Sequence, residues 1–371
     1  ACNSGVVVAP QKLRLVPVDA HVHAALRVNV ADRRRVIAVD RVVTIRIETA
    51  EDAARVFAMD VFEDVADAIF RRVELRGDID AALGLSGAAV VGDYLILGAD
   101  EGHKLQVLAR IEDGVGWKVQ RDVALAKDDL EVDIEAITYG DGSLYVVGSH
   151  SCRRRRMKPE LSARKNYERM LSVNRHNSRN RLYRLPFNPE NGNVGKPEKI
   201  DLTKRLQKDP LLHTFVGLPS KENGIDIEGM AYHDERLYLG FRGPVLRGNY
   251  VPVMVLQFDH AKRYVLRFVR LQGQGIRDMV ALEGGFLIVS GPVNDAPGPF
   301  RLWWWDGEDQ IPGKDRRVRE TELLGAVSTP GGAKAEGLAL LERTGSCAEV
   351  MLVYETGTAA QAVRMRIQLP S

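Results

Sequence analysis

Pairs of acidic residues that open a repeated phrase are the strongest candidates for chemistry in this chain. Asp133-Ile-Glu135 and Asp226-Ile-Glu228 give the fullest copies, each followed by a small residue, a few apolar positions and a tight turn. Carboxylates that converge on one axis repel each other unless protons or a cation neutralise them. Oxygen-only ligands suit a hard ion such as Ca²⁺. We therefore predict a Ca²⁺ site with the ligands Glu135, Glu228, Asp278 and Glu336.

Polar residues also follow the second strand of each repeat. In an antiparallel sheet the start of the first strand and the end of the second lie at the same edge, so these residues should join the carboxylates at the mouth of a central channel. A histidine and two arginines among them could position an anion or take part in acid–base chemistry. The predicted ligand-binding residues are Asp100, Glu101, His150, Arg242 and Arg247, and the catalytic candidates are Glu135, Glu228 and His150.

The elements that would position these residues form a repeat. Copies of the phrase start at residues 86, 135, 228, 278 and 336, with spacings of 49, 93, 50 and 58 residues. Three of these spacings match one four-stranded propeller blade, for which repeats of roughly 40 to 50 residues are usual. The pattern predicts an all-β chain that forms a β-propeller of five to six four-stranded blades. Helical periodicity is almost absent after residue 75, which excludes an α/β barrel.

The two ends of the chain are predicted to meet in one blade. Residues 70–76 resemble the outermost strand of the other copies and precede the first hairpin, so they would complete the last blade and close the ring. Upstream, residues 36–47 are typical of a strand, and residues 49–52 resemble a capping box that opens an amphipathic helix. Residues 1–70 are therefore interpreted as an N-terminal extension or a partial extra blade, and residues 71–371 as the propeller.

A basic insertion explains the long spacing of 93 residues. Residues 151–184 interrupt the second repeat and contain 12 Lys or Arg against 2 Glu. This segment carries a charge of +10 and the rest of the chain −8, so the net charge of +2 conceals a polarised molecule. The insertion could fold over the acidic mouth, offer a cationic surface to an anionic ligand, or remain solvated. Few aromatic residues interleave with it and no nucleic-acid module surrounds it, so a nucleic-acid partner is not expected.

Composition and cysteine use limit the class of protein. With 371 residues, 45% hydrophobic and 27% charged, the chain can bury a large core and is neither disordered nor fibrous. No apolar run reaches the roughly 18 residues needed to cross a bilayer. Three cysteines without CxxC spacing indicate neither a zinc site nor a disulfide scaffold. The compartment stays open between cytoplasmic and extracytoplasmic, the latter if Cys2 is the remnant of a lipoprotein cleavage site, and no feature indicates the oligomeric state.

Several phrases resemble those of a known group. Three segments resemble a bacterial β-propeller family that is catalogued only as a domain of unknown function. They are Asp133-Ile-Glu-Ala136, Leu144–Ser151 and Ile227-Glu-Gly-Met-Ala231. The resemblance covers residues 75–371 and implies a propeller without an assigned activity. More distantly, the chain is similar to the esterase-like phytase propellers, which share the acidic opening of the inner strand. Two copies depart from the pattern, because Ser86 and Asp278 stand where the others have Glu.

Two functions fit these residues. In the first, the protein binds a cation or a small polar or anionic ligand at the channel mouth. In the alternative, it is a metal-dependent phosphoesterase or esterase of the phytase-like type, in which a channel cation polarises the substrate or activates water. The carboxylates also have a structural explanation, because a residue repeated in a repeat fold can cap turns or accept backbone hydrogen bonds. Binding is favoured over catalysis, and whether the protein is an enzyme stays open.

Overall fold

A small N-terminal sheet precedes the main body of the molecule. The computed structural model describes residues 22–24, 45–47, 70–79, 84–111, 116–126, 130–329, 332–355 and 361–370. Strands β1 (Val22–Ala24) and β2 (Ile45–Ile47) pair antiparallel, and two further short strands follow them, β3 (Phe70–Arg72) and β4 (Glu74–Arg76). The predicted amphipathic helix that opens at residues 49–52 lies outside the described residues.

The first two blades are antiparallel sheets whose strands follow one another along the chain. Blade 1 comprises β5 (Leu85–Val91), β6 (Tyr94–Ala99), β7 (Lys104–Arg110) and β8 (Gly116–Ala124). Blade 2 begins with β9 (Ile134–Gly140) and β10 (Ser143–Gly148), after which the insertion forms β11 (Cys152–Arg154), helix α1 (Ala163–Leu171), β12 (Val173–Arg175) and a 3-10 turn (Asn177–Arg179). The blade resumes with β13 (Leu182–Asn188), which pairs with β14 (Asn193–Val194) and β15 (Glu198–Ile200).

Three more blades complete the series. A linker leads to them through helix α2 (Thr203–Lys208) and two 3-10 turns (Leu212–Phe215 and Ser220–Glu222). Blade 3 comprises β16 (Asp226–His233), β17 (Arg236–Gly243), β18 (Tyr250–Leu256) and β19 (Val265–Arg270). Blade 4 comprises β20 (Gly275–Leu282), β21 (Gly285–Gly291), β22 (Phe300–Trp305) and β23 (Glu322–Val327). Blade 5 comprises β24 (Lys334–Thr344), β25 (Cys347–Glu355) and β26 (Gln361–Gln368).

The ring closes between the two chain ends, as predicted. Strand β3 pairs antiparallel with β26, with Arg72 opposite Val363, and so becomes the fourth strand of blade 5. Strand β4 does not continue this sheet but pairs parallel with β8 at the outer edge of blade 1. Residues 70–76, predicted as one outer strand, are therefore divided between two adjacent blades. The described residues form a propeller of five blades, which confirms the all-β prediction.

The core lies between the blades, because each sheet buries both of its faces against its neighbours. Successive side chains of a strand point to opposite faces, and β22 shows the consequence. Trp303 and Trp305 belong to the apolar cluster shared with blade 3, where the ring of Trp305 meets that of Tyr238, while Trp304 belongs to the cluster shared with blade 5, which includes Leu352. Burying one such side chain contributes about 1.5–3 kcal/mol. Among the described residues, no helix has the length and apolar character needed to span a membrane.

Candidate functional site

Each inner strand of the ring contains an irregularity at the same place, and the registers of blades 3 and 5 have a second one elsewhere. The antiparallel register between the first two strands of every blade skips one residue. Such a bulge leaves one residue out of the ladder and changes the direction of its side chain, and the inner strands keep this device in all five blades. We call these five positions the bulge ring, and its members are Ser86, Glu135, Glu228, Arg277 and Glu336.

The structure corrects the alignment of the fourth repeat. Asp278 was expected at the position of the repeated Glu, but it pairs directly opposite Val289, and Arg277 occupies the bulge instead. The alignment was wrong by one residue because the acidic residue of this copy comes one position later than the repeated Glu. Arg277 therefore places a positive charge where the other copies predict a negative one.

Asp278 is engaged by backbone groups of three blades. Its Oδ1 accepts hydrogen bonds from the N–H of Met279 (2.7 Å) and of Met230 in blade 3 (3.4 Å), and its Oδ2 accepts one from Leu338 in blade 5 (2.7 Å). Burial raises the pKa of Asp278 well above its usual value, although these three hydrogen bonds oppose that shift. In the structure this carboxyl group links neighbouring inner strands and lies outside the acidic group of blades 2 and 3.

Three carboxylates of blades 2 and 3 form a compact group. One oxygen from each of Glu135, Asp226 and Glu228 lies within 4.8 Å of the others, and all three residues are buried. We call this group the acid cluster. Burial raises the pKa of Glu135 well above its usual value, and the nearby negative charges of Asp133 and Glu228 raise it further. Among the described residues, no arginine or lysine forms an ion pair with Glu135.

Two buried arginines hold the other carboxylates of this region. Arg242 binds Asp226 through one Nη and Oε1 of Glu228 through the other, at 2.7 Å. Arg277 reaches Oε2 of Glu228 at 3.1 Å and both oxygens of Glu336 at 2.9 Å. Burial raises the pKa of Glu228, whereas Arg242 and Arg277 oppose the shift. Four buried carboxylates thus face two guanidinium groups, and two negative charges are left unmatched when all are ionised: Glu135, Asp226, Glu228 and Glu336.

The basic insertion supplies a second layer of charge. Its Arg153 and Arg179 both bind Asp133, a fully buried residue that also accepts a hydrogen bond from the Ser149 hydroxyl. Arg153 also lies 3.9 Å from Asp100, whose pKa is raised to about 7 by burial and by the charge of Asp133. Among the described residues, the insertion therefore reaches the acidic residues beside the inner strands through two arginines, Arg153 and Arg179. Most of its other basic side chains are exposed.

The remaining predicted residues lie apart from the acid cluster. His150 is buried, its Nδ1 lies 2.8 Å from the carbonyl oxygen of Gly148, and its charged neighbours are Asp201 and Arg181. Burial lowers its pKa to about 4. Glu101 and Arg247 are exposed. Of the predicted ligand-binding residues, the structure thus brings Arg242 into the cluster and Asp100 to its border.

Two solved structures illustrate how weakly the chain resembles known proteins of similar fold. An exo-β-1,3-galactanase from Phanerochaete chrysosporium aligns with 9% identity and a TM-score of 0.41, over 81% of this chain and 64% of that one. A hypothetical protein from Leishmania major aligns with 12% identity and a TM-score of 0.41, over 84% of this chain and 95% of that one. No curated protein matches. TM-scores of this size carry no inference about what the chain binds.

A family model matches almost the entire ring. The match extends over residues 84–367, from the residue before the first inner strand to the third strand of the last blade, and therefore includes every position of the bulge ring. It agrees with the resemblance seen in the acidic phrases of blades 2 and 3. The chain belongs to the family described as "Protein of unknown function (DUF3616)".

Proposed function

We propose that the channel mouth binds a divalent cation through the acid cluster, Glu135, Asp226 and Glu228. The observation that carries the proposal is the position of Glu135, a buried carboxylate next to two others and without an ion pair among the described residues. Burying a charge without a partner is expensive. A cation between the three carboxylates would remove that cost.

The charge balance supports an ion of charge +2. Arg242 and Arg277 neutralise two of the four buried carboxylates, and the two charges left over equal the charge of one divalent ion. Arg153 also lies close enough to Glu135 for their charges to interact. Three other carboxylates, Asp100, Glu131 and Asp133, pair with Arg153 and Arg179, so these two arginines leave no positive charge over for the cluster. The donors are all oxygen atoms, which favours Ca²⁺ over softer metals.

Two variants of the bulge ring test the proposal. Glu135→Gln removes a cluster member, whereas Glu336→Gln makes the same chemical change at the equivalent position of another blade, where Arg277 holds the carboxylate. After removal of metals with a chelator, Ca²⁺ is titrated by calorimetry. We expect Glu135→Gln to bind more than about tenfold more weakly than wild type. Glu336→Gln should lose clearly less affinity, because it removes one negative charge from the balance but no member of the acid cluster.

The number of protons released when the cation binds gives an independent check. Protons are the competing way to neutralise the cluster, because the pKa of Glu135 is raised. Cation binding should therefore release protons and strengthen as the pH increases. Calorimetry in buffers of different ionisation enthalpy measures this release. The proposal would be contradicted if Ca²⁺, Mg²⁺ and Mn²⁺ did not bind at millimolar concentration. It would also be contradicted if Glu135→Gln and Glu336→Gln lost the same amount of Ca²⁺ affinity.

The hydrolase alternative stays a prediction. It assigns Glu135 or Glu228 as ligand or base and His150 as a partner, yet His150 lies beside Asp201 and Arg181. The geometry therefore supports binding better than this set of catalytic residues. A panel of phosphate and carboxylate esters with added Ca²⁺ tests it. Turnover that disappears in Glu135→Gln and persists in Glu336→Gln would favour the enzyme.

A further inference from the structure

A second charged region lies on the linker between blades 2 and 3. A cavity of about 850 Å³ opens there, lined by residues that precede β13, by helix α2 and by the loop between β18 and β19. Its lining contains five cationic side chains and a single carboxylate. These charged residues are Arg181, Lys204, Arg205, Lys208, Lys262 and Asp201.

The two arginines of the cavity are fixed in place. Arg181 donates from Nη1 to Oδ2 of Asp201 at 2.5 Å. Arg205 donates to the backbone oxygens of Asp201 (2.6 Å) and Ala261 (2.8 Å). These contacts hold the guanidinium groups at the wall and use the only carboxylate of the lining. The walls of the cavity are therefore organised before any ligand arrives.

The three lysines have no such partners. Among the described residues, no carboxylate forms an ion pair with Lys204, Lys208 or Lys262. Lys204 and Lys208 are four residues apart on α2 and share one face, an arrangement of like charges that costs about 0.2–0.5 kcal/mol in an isolated helix. In α1, by contrast, Arg164 and Glu168 at the same spacing have opposite charges. The cavity concentrates positive charge that the protein itself does not compensate.

We propose that this cavity binds a small soluble molecule that carries two or more phosphate groups. Cations that surround a concave space lower the energy of an anion within it. Several cations supplied by separate segments suit several anionic groups, and the planar guanidinium group matches phosphate oxygens in a bidentate manner. The volume lies within the range of small-molecule sites, roughly 300–1,000 Å³. Tyr264 is the one aromatic residue of the lining, and its hydroxyl donates to Asp209, so the cavity does not provide a stacking platform of the nucleic-acid type.

Tripolyphosphate is the probe for the test, with inorganic orthophosphate for comparison. Both are titrated by calorimetry in the presence of a chelator, so that the acid cluster plays no part. The test variant is Lys204→Ala/Lys208→Ala/Lys262→Ala. The control variant, Lys165→Ala/Lys196→Ala/Lys314→Ala, removes the same charge from exposed positions outside the cavity. All six lysines are exposed, so both variants should fold, which circular dichroism and the melting temperature verify.

We expect tripolyphosphate to bind wild type more tightly than orthophosphate does. The test variant should lose more than about tenfold in affinity, and the control should change less than about twofold. Equal weakening by both variants would overturn the proposal, because it would indicate a response to net charge alone. Absence of binding at millimolar tripolyphosphate, or tighter binding of single-stranded oligothymidine that is lost only in the test variant, would overturn it too.

Glu135→Gln separates this inference from the proposed cation site. Among the described residues, the lining of the cavity and the acid cluster have no residue in common. We therefore expect Glu135→Gln to retain wild-type affinity for tripolyphosphate. If Glu135→Gln lost affinity for tripolyphosphate, the cavity would not be an independent site, whatever the outcome of the Ca²⁺ titration.

Discussion

The acid cluster and the basic cavity both bring like charges together, but the charges of the first are buried and those of the second are mostly exposed. In the acid cluster the carboxylates are buried, and Arg242 and Arg277 are buried with them at fixed distances. In the cavity, the lysines are exposed and water screens their charges. Burial thus makes each ion pair of the acid cluster important for the fold, and only two charges are left there for a ligand, whereas the exposed cavity keeps most of its charge unpaired. The difference predicts large effects on stability at the first region and small ones at the second.

The largest effect is expected for Arg277→Leu. This variant leaves Glu228 and Glu336 buried without one of their cations, which should lower the free energy of unfolding by about 3–5 kcal/mol at neutral pH. Urea denaturation measures the loss. Arg164→Leu, which removes an exposed ion pair of α1, should cost less than about 0.5 kcal/mol. Equal costs for the two variants would show that burial does not distinguish them.

The second largest effect is expected for Asp278→Ala, which should lower the free energy of unfolding by about 2–4 kcal/mol. The change removes the acceptor of three buried N–H groups, those of Met230, Met279 and Leu338. The same urea experiment applies. Ca²⁺ affinity should remain close to that of wild type if Asp278 serves to link blades. A stable variant that has lost Ca²⁺ binding would return Asp278 to the set of ligands.

A dependence on pH is the third expected effect. The pKa of Asp100 is raised to about 7, so the folded state holds a proton that the unfolded state releases near pH 4. The contribution of Asp100 to the stability of the metal-free protein should therefore decrease as the pH rises from about 4 to about 7, by about 1–2 kcal/mol after allowance for partial exposure. The lowered pKa of His150 acts in the opposite direction below about pH 6.5, so the contribution of Asp100 is obtained as the difference between wild type and Asp100→Asn. Unfolding at several pH values measures this slope. Asp100→Asn should reduce it, whereas Asp93→Asn, at an exposed residue, should leave it unchanged.

The smallest effect is expected in the cavity. Lys204→Ala/Lys208→Ala/Lys262→Ala should leave the free energy of unfolding unchanged or raise it by up to about 0.5 kcal/mol at low salt, because like charges are removed. High salt should abolish the gain. Thermal unfolding of wild type and variant at low and high ionic strength measures the gain and its dependence on salt. A marked loss of stability would mean that these lysines support the fold.

Much of the fold could be predicted from the sequence, because every blade repeats one hairpin phrase. The spacing of the copies predicted the blades, and the strand at residues 70–76 predicted ring closure. The division of that segment between β26 and β8 could not be seen, since it depends on which edges are free after the sheets have formed. Whether residues 1–70 are an extension or a partial blade stays a prediction.

The candidate site was predicted less completely. Glu135, Glu228 and Glu336 were recognised because the inner strand repeats them. Arg277 was missed, although its place directly before Asp278, at the position of Glu in the other copies, could have revealed it. The basic cavity had no sequence signal, because its lysines and arginines come from three segments that only the packing of blades 2 and 3 brings together.

The pairing of β3 with β26 determines the order in which this protein can be completed. During synthesis the N-terminal part of a chain folds first, yet β3 is made before every blade and its partner is made last. The emerging propeller must therefore carry an unpaired edge until β26 has been synthesised. Such edges are sites of aggregation, so the step most exposed to failure, and to help from chaperones, is the final closing of the ring.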